Sequence, residues 1–383
     1  MIIGIDLRVL ARGTRSGIEE YAINLLSRLL SLDKNVQFKL FCNAFKQVEL
    51  NYDWLKLPNV ELKKFYFPNR FIFDPAAKFL KLPKIDKLLG GCDAFLAPHF
   101  LLAPISRNCK KIITFHDLSF EYFPEFFPWR KRFWHVSLAP RARARGADKI
   151  IAVSQSTKED LIDLYGVAEE KIRVIYSGVG EEFKPLLKQE CQAAARKYNL
   201  PDNFILYFGT LEPRKNIVGL IKAYEIFRAK LLMSDINSLS PALILAGNKG
   251  WLYDEIFNAA KNSPYAGDIK FIGFIEPADK PQLFNLASLF VYPSFFEGFG
   301  FPPLEAMACG VPTITSHTSS FPEVVADSAL MVDPYNYEEI AWAMQEVWLD
   351  ANLKKSLMAD GLERAKIFSW DKCARETLDC LIT

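Results

Sequence analysis

Short apolar, β-branched runs alternate with amphipathic helical segments along the chain, and after one interruption the alternation starts again. This doubled series constrains the fold more than any other feature. The first series offers strands at Ile2–Ile5, Gln37–Phe41, Glu61–Tyr66, Ala94–Ala97, Lys111–Phe115, Lys149–Val153 and Arg173–Tyr176. Between them, Gly17–Leu30 sets Ile18, Tyr21, Ala22, Leu25, Leu26 and Leu29 on one helical face, and Ser154–Tyr165 opens on a serine N-cap. The second series offers strands at Phe204–Phe208, Ala242–Ala246, Ile269–Phe271, Leu289–Tyr292, Thr313–Thr315 and Leu330–Val332, with helices at Asn216–Leu232 and Tyr337–Leu349. Such alternation predicts an α/β fold of parallel sheets covered by helices on both faces. Two series imply two Rossmann-like domains, joined near residues 177–185. Ser177-Gly-Val-Gly180 lacks the third glycine of a dinucleotide fingerprint and reads as the linker.

Composition narrows the function. The chain has 383 residues, half of them hydrophobic, and a net charge of only +2. No overall field argues for a nucleic-acid partner. Seven cysteines without a C-x-x-C spacing point to a reducing compartment and away from disulfide or zinc scaffolds. The opening residues read as a strand and lack the pattern of a signal peptide. No apolar run reaches the ~20 residues of a membrane helix. A cytoplasmic protein, at most peripheral at the inner face of a membrane, is expected.

Chemistry concentrates at strand ends. Phe295-Phe-Glu-Gly-Phe-Gly-Phe-Pro-Pro-Leu-Glu-Ala-Met-Ala-Cys-Gly310 follows an expected strand and holds two acids eight positions apart, Glu297 and Glu305. Gly298–Pro303 reads as a rigid turn with amides free to face a ligand, and Glu305 as an acid in the first turn of the next helix. Taken alone, Glu305 fits a dipole-favouring acid equally well. Arg214 and Lys215 precede a helix near Asn216, where backbone donors meet anions; alone, they fit a solvated cationic loop. His116 ends a first-series strand, and His99 follows another; either fits an ordinary satisfied histidine. Residues 128–145 mix Trp129, Phe133 and Trp134 with Arg130, Lys131, Arg132, Arg141, Arg143 and Arg145. That stretch is a candidate for peripheral contact with an anionic membrane or a lipid-linked acceptor, and equally for a core-facing helix with solvated arginines. The chain contains no D-x-D, the pattern that would suggest a metal bridging a diphosphate.

The run Glu297-Gly-Phe-Gly-Phe-Pro-Pro-Leu-Glu305 resembles the E-x7-E motif of retaining glycosyltransferases of the GT-B fold, group 1, family 4. The likeness extends along almost the whole chain and looks closest to bacterial mannosyltransferases of polysaccharide biosynthesis. It implies two domains facing across a cleft. The acceptor-side domain would span 1–178, completed by a C-terminal helix over 368–383, where Trp370 would bind back onto it. The donor domain would span 185–367. The resemblance also implies a nucleotide-sugar donor, GDP-mannose as the best match, a saccharide or lipid-linked acceptor, and no cofactor or metal. It puts Glu297 by the donor sugar, Glu305 on the ribose, Gly298, Phe299, Gly300 and Phe301 at sugar hydroxyls through their amides, and Gly273-Phe274-Ile275 at the base. Lys215 would clamp the diphosphate, and His116 would meet the sugar's 6-hydroxyl. Gly13-Thr-Arg-Ser-Gly17 is similar to the family's loop after the first strand, with Gly17 admitting close backbone approach. One departure is Thr210, where many members carry an arginine; Arg214 is the candidate substitute. A sugar phosphorylase on the same fold, or a binding protein without turnover, are the rival readings.

Overall fold

The two series fold as two separate parallel sheets. The computed structural model describes residues 1–12, 17–45, 48–68, 72–233 and 240–383. In the first unit the strands are β1 Ile2–Asp6, β2 Gln37–Asn43, β3 Val60–Phe65, β4 Ala94–Ala97, β5 Lys110–Phe115, β6 Lys149–Ala152 and β7 Ile172–Val174, in the order β3-β2-β1-β4-β5-β6-β7. In the second they are β8 Phe204–Phe208, β9 Ala242–Ala246, β10 Ile269–Gly273, β11 Leu289–Tyr292, β12 Thr313–Ser316 and β13 Leu330–Val332, ordered β10-β9-β8-β11-β12-β13. Every expected strand is present, with no end displaced by more than two residues. Strands such as β4 and β11 are buried along their whole length, as parallel strands covered on both faces must be. In each unit the order reverses once, between β1 and β4 and between β8 and β11. Loops diverge there and leave a crevice at the carboxyl ends.

The first unit comprises Met1–Leu118, Arg130–Gly178 and Ser369–Thr383. Its helix Gly17–Leu32 buries Tyr21, Ala22, Leu25, Leu26, Leu29 and Leu30, while the expected Ile18 is only half-buried. Ser154 caps the helix Gln155–Tyr165 by accepting from Thr157 N at 3.0 Å. The helix Trp370–Ile382 packs on Gly17–Leu32, and Trp370 is 2% exposed with its ring 5.9 Å from that of Tyr21. Gly178 makes this possible, since a Cβ there would lie 2.2 Å from Trp370 N. A buried ion pair closes the end of β1: Arg8 donates to Asp6 at 2.6 Å and to Leu102 O at 2.9 Å, and its guanidinium sits 4.9 Å from the Phe73 ring.

The second unit comprises Val179–Phe368 together with Ser119–Trp129. Residues 119–129 were expected in the first domain. They join the second because Tyr122 and Phe126 lie 5.4 and 5.5 Å from the rings of Phe296 and Phe295, and Trp251 Nε1 donates to Phe126 O at 2.6 Å. The expected single helix over 128–145 is two, Trp129–Leu138 and Pro140–Arg145. Ala139 between them takes the left-handed region (φ 49°), and Pro140 lacks the amide needed to continue. No helix among the described residues is long and apolar enough to cross a membrane.

Candidate active site

The end of β8 begins the site in the second unit. A Cβ on Gly247 would lie 2.0 Å from Gly209 O, so the backbones after β8 and β9 touch, and Gly247 N donates to Gly273 O at 2.8 Å. Three strand ends thus converge with almost no side chain between them. Gly273 itself has φ 71° and open space around its missing Cβ, Phe274 is 48% exposed, and Ile275 is buried. Of the three base-loop candidates, then, two face outward and one anchors.

From β8 the chain runs through the turn Pro213–Lys215 into Asn216, which occupies the left-handed region at φ 55°. Asparagine tolerates that conformation better than most residues. Its Nδ2 donates to Pro293 O (3.1 Å) and Pro334 O (2.6 Å), tying the turn to the ends of β11 and β13. This fixes the two cations. Lys215, 8% exposed, donates to Tyr292 OH at 2.9 Å and ion-pairs with Glu297 Oε1. Arg214 meets Glu297 Oε2 at 3.0 Å and Glu212 at 2.9 Å, and donates to Phe296 O at 2.5 Å. Ser294 and Tyr292 hydroxyls also donate to Glu297 Oε1, at 2.9 and 3.1 Å. The main chain of Glu297 is held too: its N donates to Ser319 Oγ at 2.9 Å, and Ser320 Oγ donates to its carbonyl at 3.0 Å.

The electrostatics follow from this packing. Burial pushes the Glu297 carboxyl up, but Arg214 and then Lys215 outweigh it and bring the pKa down to about 2. Burial, then Arg214, pulls Lys215 down, with Glu297 opposing. The cluster of Arg214, Lys215, Glu212 and Glu297 balances two positive charges against two negative ones at the β8/β11 crevice.

The second acid is elsewhere in the network. The helix runs over Phe301–Ala308, so Glu305 is one turn inside it rather than in its first turn, and the rigid turn ends at Gly300. Pro302 sits in the first helical turn, where a missing amide costs nothing, so the prolines start the helix instead of delaying it. Gly300 has φ 95° and faces Phe321, which would lie 3.0 Å from an added Cβ. Glu305, 4% exposed, pairs with Lys280 at 2.6 Å, and that ammonium also lies 4.9 Å from the Phe208 ring. Gly298 is buried, and Phe299 packs 5.7 Å from Phe368 and 5.4 Å from Phe301. Glu297 and Glu305 therefore have separate cations and do not act as one carboxyl pair. Glu212, Tyr292, Ser294, Gly247 and Lys280 carry no motif of their own and enter the site only through these contacts.

In the first unit, His116 is half-buried, with Nε2 2.8 Å from Pro98 O and its ring 4.9 Å from Tyr21 and 6.0 Å from His99. Burial lowers its pKa. Trp134 stacks 6.3 Å from His99, while Trp129, Phe133 and Val136 on the same helix are 67%, 70% and 73% exposed. That helix therefore has two faces, one packed inward through Trp134, His135 and the buried Leu138 and one open to solvent. Gly17 opens its helix, but Gly13–Ser16 lie outside the described residues. Among the described residues, no group of three His, Cys, Asp or Glu is placed to hold a metal ion.

Residues 189–364 match the model of the glycosyl transferases group 1, and residues 15–183 that of glycosyltransferase family 4. The O-antigen chain mannosyltransferase B of Escherichia coli is 31% identical over 376 residues, covering 95% of each chain. The chain belongs to the group 1 glycosyltransferases. Solved relatives share the fold of this glycosyltransferase. A sucrose-phosphate synthase from Thermosynechococcus elongatus superposes with a TM-score of 0.76 at 20% identity, over 99% of this chain and 98% of its own. Anabaena HepE, crystallised with UDP-glucose, gives 0.73 at 19% identity over the full length of both. The glycosyltransferase thus has the two Rossmann-like units of the GT-B architecture.

Proposed function

We propose that this glycosyltransferase moves mannose from GDP-mannose to a hydroxyl of a saccharide or lipid-linked acceptor in polysaccharide biosynthesis, on the cytoplasmic side, with retention and without a metal. The carrying observation is the buried Arg214–Lys215–Glu297 cluster at the β8/β11 crevice. It occurs in a chain 31% identical, over 95% of its length, to a mannosyltransferase. A fold neighbour crystallised with UDP-glucose supports a nucleotide sugar as the donor class.

The roles follow from charge. A departing diphosphate gathers negative charge, and Lys215 and Arg214 supply fixed cations in a largely dry site, where such stabilisation is strong. Arg214, held by Glu212 and Glu297, takes the part that Thr210 leaves open. Glu297 lies toward the sugar and Glu305 toward the ribose. The amides of Gly298, Phe299, Gly300 and Phe301 serve sugar hydroxyls, Gly273–Ile275 the base, and Gly17 the backbone approach near its helix start. His116 is assigned to the sugar's 6-hydroxyl. The set contains no separate nucleophile, so the acceptor attacks the face from which the diphosphate leaves.

The test is a donor panel. Purified protein is given GDP-mannose, UDP-glucose or a sugar 1-phosphate, each with and without chelator, and donor consumption is followed. GDP release from GDP-mannose, undiminished by chelator, is expected, with an α-linked product by NMR. Lys215→Ala is expected to lower kcat roughly 10²–10³-fold, the scale of removing one fixed transition-state donor. Turnover of the sugar 1-phosphate alone would favour a phosphorylase and sink the reading.

A further inference from the structure

The first unit carries an unusual surface between β3 and β4. The chain there makes a π-helical turn, Ala76–Leu80, and ends it with Lys81 in the left-handed region at φ 54°. Ala77 and Phe73, each 1% exposed, root the turn in the core. Beyond them five consecutive residues, Lys78-Phe79-Leu80-Lys81-Leu82, face solvent. Phe79, Leu80 and Leu82 are 76%, 69% and 50% exposed. Single apolar residues on a surface are ordinary, but three at one loop tip mark an interaction site.

Charge selects the occupant. Lys78 and Lys81 flank Phe79 and Leu80 at the tip, and Lys84 follows. Residues 78–145 hold thirteen Lys and Arg against five Asp and Glu, in a chain whose net charge is only +2. In the same unit, Phe133 and Val136 are exposed on a helix that also exposes Arg130, Lys131 and Arg132. A two-fold contact with a second copy would set Lys78 and Lys81 against their own equivalents. A five-residue tip is also far smaller than the roughly 20–30 residues per side of a stable protein interface. An anionic bilayer fits both halves of the pattern: rings and aliphatic tips enter the acyl boundary while ammonium groups meet lipid phosphates. We propose that Lys78–Leu82 is a membrane-docking loop that seats Phe79 and Leu80 in the surface of an anionic leaflet. The assignment goes beyond the donor reading and is independent of which sugar is transferred.

Flotation of the full chain tests it, with vesicles of phosphatidylcholine alone or mixed with phosphatidylglycerol. Wild type is expected to float with the mixed vesicles and not with the neutral ones. Phe79→Ser/Leu80→Ser is expected to stay in the dense fraction, and Lys78→Gln/Lys81→Gln to lose roughly fivefold in partition per lysine. Both variants keep the wild-type melting temperature and donor turnover in solution, because the altered side chains face solvent. Three results would each overturn the proposal: wild type floating with neither vesicle, the serine variant floating undiminished, or a wild-type dimer that the serine substitutions abolish.

Discussion

Glu297 holds both cations that the proposed function assigns to the donor diphosphate. Its two oxygens take Lys215 on one side and Arg214 on the other, and neighbours keep it charged down to about pH 2. A donor diphosphate would compete with it for the same cations. Glu297→Gln therefore makes a two-sided prediction. It removes a competitor, so GDP is expected to bind the variant more tightly and raise its melting temperature more than that of wild type. It also removes the carboxylate assigned to the sugar, so kcat is expected to fall by at least about 10²-fold. Equal GDP shifts in both proteins would show that Glu297 does not compete. At this scale the sequence was readable only where a motif announced itself. Glu297, Arg214 and Lys215 stood out by strand-end position and resemblance. Tyr292 reads as one more apolar strand residue, and Ser294 and Glu212 as ordinary loop residues. Their role depends on Asn216 tying two loops together, a long-range contact that no local pattern encodes. Lys280 lies in a different helix from the acid it neutralises.

Among the elements, strands were the most legible. Runs such as Leu289–Tyr292 and Phe204–Tyr207 are buried on both faces, and few other structures accept four consecutive apolar residues of those types. Helix starts were less so. Pro302 and Pro303 looked like part of a stiff turn, yet proline is accepted in a first helical turn, so Glu305 moved a turn inward. The Lys78–Leu82 tip was unreadable because its apolar residues obey neither a helical nor a strand period; they follow no core. The seat of Trp370 gives the prediction proper to this scale. Trp370→Ala removes a buried aromatic and is expected to cost about 3–5 kcal/mol. Gly178→Ala forces a Cβ into Trp370 N and is expected to cost about 1–3 kcal/mol as overpacking. Chemical denaturation of each variant checks this; unchanged midpoints would mean that the helix Trp370–Ile382 contributes little to the first unit.

For the molecule as a whole, the two units should differ in how they meet acid. In the first, burial lowers His116 and brings His135 down to about 4, so both are disfavoured as cations in the fold. An unfolded histidine takes its proton near pH 6.5. The unfolded state therefore binds more protons between the two values, and stability is lost as pH falls from about 6.5 toward 4. In the second unit, Glu297 works at lower pH. Its folded value of about 2 lies below the usual carboxylate range, so its contribution is complete above roughly 4.5 and is lost below that. Thermal scans at pH 7 and pH 5 are expected to show the first unit destabilised before the second, with His135→Asn reducing the difference. The doubled strand series made the two sheets legible at this scale; the placement of Ser119–Trp129 was not, since aromatic stacking on Phe295 and Phe296 rather than chain order decides it.

The return of residues 370–382 to Gly17–Leu32 bears on synthesis. A ribosome makes the first unit's sheet early, but the helix that covers Tyr21 emerges only after all of Val179–Phe368. The nascent first unit must wait with that strip uncovered, while the second unit already has its whole sequence to fold with. The half that is translated first is the last to be finished, and chaperones holding this chain would be expected to engage the Gly17–Leu32 face.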